Sequence, residues 1–230
     1  MSFDTVQRRF TIAATATSPR PQRPMRGRIV LLCLIWIVSI FPFVLLRRDT
    51  WFGRPLSDQQ IGEYLHANEK PRQIGYALGQ IGQRMSRRDT SVSIWYADLV
   101  RLSSHSLEEV RATDALVMGE NASLPMLHNA LLAQLEDASA TVRFNAAISL
   151  ARAADNSGHR EIDYLLAQPN PRSDQLLPAL TALQYIGDES DISVLARYQA
   201  TPDVPDRVRQ QAAASITAIR SRNPESSGNK

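Results

Sequence analysis

A single cysteine, Cys33, stands in a chain of 230 residues. No intramolecular disulfide and no CxxC pair can form, and a lone thiol does not set the compartment. Glycine is also scarce, ten in all. None belongs to a Gly-x-Ser-x-Gly elbow or a phosphate-cradling loop, which leaves nucleophilic catalysis without a candidate. Aromatic residues make up 7% of the chain, while alanine and leucine dominate its second half. That balance favours helices over a sandwich or barrel. The four histidines, His66, His105, His128 and His159, are more than twenty residues apart. None has a ligand partner at i+3 or i+4 of the HExxH type. The expectation is a protein that is not an enzyme and has no catalytic residue, cofactor or metal.

Positive charge is lacking over most of the length. Residues 1–28 hold six arginines against Asp4, whereas residues 49–230 hold 18 Lys and Arg against 22 Asp and Glu, a net of −4. The basic pI of about 9.3 therefore belongs to the N-terminal end, and nucleic acid is not an expected partner. That end also interleaves Pro19, Pro21 and Pro24 with arginines, the composition of a disordered, locally extended arm.

The one long hydrophobic run is residues 29–46, 18 residues without a charge. As a helix it spans roughly 27 Å, close to the hydrocarbon thickness of a bilayer. Arg28 and Arg47 bracket it and Trp51 and Phe52 follow, which reads as a transmembrane helix. A core helix would rarely be apolar all round, and Arg47, Arg48 and Asp49 stand where a signal peptide would be cut. Five arginines precede the run within 20 residues and three follow it. The arm is then cytoplasmic and the C-terminal domain extracytoplasmic, periplasmic in a bacterium.

After a juxtamembrane linker, 47–56, five helical hairpins are expected over 57–221, then a disordered tail, 222–230. Ser57 and Gln60 have capping-box spacing and open a helix to about Asn68; Pro71 starts its partner, with Ile74, Ala77, Leu78 and Ile81 on one face. The second hairpin covers about 93–103 and 106–118, with Ser106 and Glu109 as a capping box and Leu99, Leu102, Val110 and Leu116 as its apolar stripe. The third covers 124–136 and 139–153. The fourth, degenerate, covers 161–167 and 172–186. The fifth covers 188–199 and about 205–220, with Pro202 and Pro205 fitting a helix start. Gly75, Gly79 and Gly82 are read as sites of close helix packing, and Glu108, Glu109, Asp188 and Glu189 as acids complementing helix dipoles.

One pattern recurs through this region. Val110-Arg111, Val142-Arg143 and Val208-Arg209 are separated by 32 and 66 residues, that is, one and two periods of about 33. Small residues follow each pair, at Ala115, at Ala146 and Ala147, and at Ala212 and Ala213. Asp137 and Asp203 precede two of the pairs. The pattern resembles the HEAT repeat, in particular the short bacterial HEAT-like kind also found in phycobilin lyases. The unit around Val110 has His105 in place of the aspartate, and the unit around Leu176 lacks the Val-Arg pair. The resemblance implies an α-solenoid of about five HEAT-like hairpins acting as a scaffold; with the 29–46 run, the expected architecture is all-α, an N-terminal transmembrane helix followed by that solenoid.

Arg143 and Arg209 are expected to tie the units together, through an acid such as Asp137 or Asp203 or through loop carbonyls. The expected function is a membrane-anchored module that binds a protein partner, with a partner face including Arg111 and Gln184. The alternatives are a chromophore or cofactor lyase or chaperone like the phycobilin lyases, and an accessory subunit of a membrane transporter.

Overall fold

The computed structural model of the chain describes residues 54–67, 70–169 and 171–222. The arm 1–28, the 29–46 run, most of the linker and the tail from 223 lie outside the described residues. No helix among the described residues is long and apolar enough to cross a membrane. The unit beginning at Pro55 is all-helical, with no strand among those residues.

Ten α-helices follow one another, odd and even alternating in role. They are α1 (Asp58–Leu65), α2 (Pro71–Ser86), α3 (Tyr96–Leu102), α4 (Glu108–Met118), α5 (Pro125–Gln134), α6 (Ala140–Arg152), α7 (His159–Leu166), α8 (Ser173–Ile186), α9 (Ile192–Ala200) and α10 (Asp206–Arg222). Short 3-10 turns at Thr90–Trp95, Gly119–Asn121 and Glu189–Asp191 punctuate the links. The even helices form a row in which α2 packs on α4, α4 on α6, α6 on α8 and α8 on α10. Each odd helix packs against the even helix that follows it.

Local signals explain most of the boundaries. Ser57 accepts from the Gln60 amide while the Gln60 side chain accepts from the Ser57 amide, the reciprocal pair expected at α1. The helix ends at Leu65, short of Asn68. Ser139 caps α6 by accepting from the Thr141 and Val142 amides. Ser106 does not cap α4, which starts two residues later, after Leu107. The Ser106 and His105 carbonyls accept from Arg111, and His105 Nδ1 accepts from the Leu107 amide instead. Leu116 falls on the exposed side of α4, and Ala115 and Met118 take its place in the core.

The core forms two clusters that meet on α6. Ala146 and Leu150 close the N-terminal cluster. Phe144, Ala147, Ile148 and Ala151 open the C-terminal one. A helix enclosed on several sides must be apolar nearly all round, and eight of the 13 residues of α6 are buried.

The glycines predicted to allow close packing do not serve it. A side-chain carbon at Gly75 or Gly79 would meet nothing within 4 Å, and at Gly82 only ordinary contact with Val117. The close approaches are at the links: a carbon at Gly119 would fall 2.4 Å from Ser149 Oγ, and one at Gly158 2.5 Å from Ala147 Cα. Repeated links bring the chain back hard against the even row, whereas helices held apart by Ile and Leu have room to spare.

Candidate functional site

The repeated arginines bind loops, and they hand their carboxylates on from unit to unit. Arg111 grips Asp137 with two nitrogens, at 2.7 and 2.9 Å, and donates to the carbonyls of His105 and Ser106. Arg143 repeats this one unit on: it donates to the carbonyls of Asp137 and Ala138 and pairs with Glu161 at 3.1 Å. The Asp137 carboxylate thus serves the preceding arginine, while Arg143 uses the Asp137 main chain. Hydrogen bonds from Arg111 hold the Asp137 carboxyl below its usual range. Arg209 donates to the Pro202 carbonyl and to Asp206, three residues back on its own helix, rather than to Asp203. Val110, Val142 and Val208 are buried beside these ties.

A second set of links crosses between neighbouring units. Asn145 donates to the Ala112 carbonyl, Ser149 to that of Ala115 and Ser215 to that of Leu180. The last carbonyls of odd helices, which lack partners within their own helix, are met by the next odd helix. Arg101 donates to the Leu65 carbonyl, Gln134 to that of Ser103 and Arg197 to that of Leu166.

The two positions expected on a partner face are engaged internally. Arg111 is 15% exposed and committed to Asp137. Gln184 accepts from Gln211 across the α8–α10 contact, and its carbonyl accepts from Arg222.

One stretch of open surface lies elsewhere along the even row. Three adjoining hollows run past the C-terminal ends of α2, α4, α6 and α8. One of about 330 Å³ is lined by Met85, Asp89, Tyr96 and Glu120. The next, about 540 Å³, shares Glu120 and continues to Arg152 and Tyr185. The third, about 220 Å³, lies between Arg152 and Tyr185 against Ile148 and Pro178. Arg152 pairs with Glu120 at 3.2 Å across the groove, and Tyr185 is 48% exposed. Nothing in the helical periodicity singles these residues out, because most of them belong to helix ends and links.

Three of the four histidines fall at junctions between units. His66 Nδ1 donates to the Gly62 carbonyl while Nε2 lies 3.4 Å from Asp98. His128 Nδ1 donates to the Ala122 carbonyl and Nε2 lies 3.0 Å from Asp155. The ring of His159 faces two carboxylates, at 3.1 Å from Asp191 and 3.6 Å from Asp163. Asp163 stands four residues after His159, a same-face spacing that a search for paired histidines passes over.

One buried acid has no partner. Asp114 on α4 is fully buried, with neither carboxyl oxygen hydrogen-bonded. Burial pushes its pKa well above the usual carboxylate range, against a smaller opposing pull from Arg101.

No protein-family model matches the chain, and no curated protein matches it at a significant level.

Proposed function

We propose that the chain is a membrane-anchored interaction module: an α-solenoid of five HEAT-like hairpins, α1–α2 through α9–α10, that presents one groove to a protein partner. The continuity of that groove carries the reading. It draws side chains from α2, α6 and α8 and from the links after α2 and α4, so no single unit forms it alone. Its lining mixes a half-exposed tyrosine and apolar side chains with the Arg152–Glu120 pair, the aromatic and arginine chemistry that anchors protein interfaces. The repeated Val-Arg positions face inward, which leaves recognition to the residues between them.

The anchor is the 29–46 run, whose length and lack of charge suit a bilayer span. The arginine asymmetry around it directs the helical unit to the extracytoplasmic side. Protease added from the cytoplasmic side alone should leave residues 57–221 intact; digestion from that side would reverse the topology.

The groove is tested with a photoreactive side chain placed at Tyr185 in the full-length protein within its native membrane. The expected result is one stoichiometric adduct that Arg152→Glu abolishes. Equal capture of the same protein from a probe at Tyr164, an exposed side chain on α7 outside the groove lining, would sink the reading.

A further inference from the structure

Three side chains with metal-ligand chemistry converge where the fourth hairpin meets the fifth. His159 and Asp163 lie one turn apart on α7, and Asp191 comes from the 3-10 turn before α9. One ligand atom from each lies within 4.8 Å of the other two. We propose that His159, Asp163 and Asp191 form a divalent-cation site of the Zn²⁺ type that clips α7 to the Glu189–Asp191 turn.

The spacing fits. Ligands held about 2.0–2.1 Å from a tetrahedral zinc stand about 3.3 Å from one another. The two distances from His159 Nε2, 3.1 Å to Asp191 and 3.6 Å to Asp163, bracket that edge. A cation entering the triangle therefore needs only small shifts of side chains already facing one another.

The electrostatics calls for positive charge. The Asp191 side chain is 4% exposed, and it shares the His159 ring with Asp163. Asp188 adds a third carboxylate nearby. A metal ion bound there uses all three groups as ligands.

The supports are rigid. Asp191 Oδ2 accepts from the Asp188 amide at 2.7 Å, within a reciprocal cap that sets the carboxylate's direction. Gly158 is pressed on Ala147, which fixes where α7 begins and so where His159 points. One imidazole nitrogen and two carboxylates suit zinc and similar first-row ions. Three ligands are too few for Ca²⁺, which takes six to eight oxygens. Asp163, 51% exposed, leaves a solvent-facing side where water completes the shell.

The site is independent of the groove. Its test is a titration of metal-free, full-length protein in detergent, purified without a histidine tag, with Zn²⁺ alone. The expected result is one ion bound per chain, a higher Tm, and a loss of affinity of about tenfold or more in both His159→Gln and Asp163→Asn. Co²⁺ should give a visible absorption band that His159→Gln removes. Wild-type affinity in both variants, or an equal Tm rise with Mg²⁺, would overturn the proposal. So would an absence of binding.

Discussion

Arg143 joins a loop to the next unit through three hydrogen bonds, and both side chains of its ion pair with Glu161 are mostly shielded from water. Hydrogen bonds from a charged group are each worth about 1.5–3 kcal/mol. Arg143→Ala should therefore cost about 2 kcal/mol in urea unfolding. Arg209→Ala should cost less than about 1 kcal/mol, since Asp206 is 76% exposed. Backbone conformation sets another test. Ala154 follows α6 with φ at 59°, and its neighbours close the helix through bonds from Ala154 to Ala151 and from Asp155 to Leu150. Glycine takes this conformation without the side-chain penalty, so Ala154→Gly should stabilise by about 1 kcal/mol. Asp114 predicts a pH dependence of opposite sign to that of a salt-bridged acid. Its pKa is raised by folding, so its contribution is fully present below pH about 3.8 and is lost as pH rises towards the folded value. Asp114→Asn should raise the urea midpoint at pH 7, with the gain shrinking towards pH 4.

Among the elements, α6 stands between the two core clusters, and its surface offers the least slack. Ala147 touches the Gly158 backbone, so Ala147→Leu has nowhere to place its extra carbons. Overpacking of this kind costs about 1–3 kcal/mol, and urea unfolding should show at least that loss. Helix order and most boundaries were legible because they follow from short-range signals: the 3.6-residue spacing in α2, Ser57 with Gln60, and Ser139 before α6. Ser106 misled because capping-box spacing says nothing of an arginine that claims the carbonyls around it. The glycine reading failed since a close approach is a property of two segments, and the partner of Gly158 is eleven positions away. The links carry a regular feature of their own: Asp89, Asp155 and Asp188, each two residues before a serine whose amide donates to it, stand 66 and 33 residues apart. These turns open the links between hairpins, in the same period as the Val-Arg pairs. The pair His159 and Asp163 was visible too. Asp191, 32 residues further, joins them only because successive units stack.

Across the whole helical unit each hairpin leans on its neighbours, so local stability should follow position in the row. Hydrogen exchange should be slowest in α6 and fastest in α1, whose main helical contact is α2. Uniform protection along the row would contradict this. Acid should weaken one particular joint. The Asp137 carboxyl is held below its usual range by Arg111, so its contribution is present above pH about 3.8 and is lost as pH falls through the folded value. Arg111→Ala should flatten the acid limb of a stability–pH curve. The helix-end carbonyls impose an order in time. Leu65, Ser103 and Leu166 are completed by side chains 31 to 36 residues later. A chain emerging from its N-terminus at about 5–20 residues per second thus leaves its newest helix end open to water for a few seconds, until the following unit arrives. Nascent chains arrested just before Arg197 should be cut by protease near Leu166, and chains extended past α9 should resist.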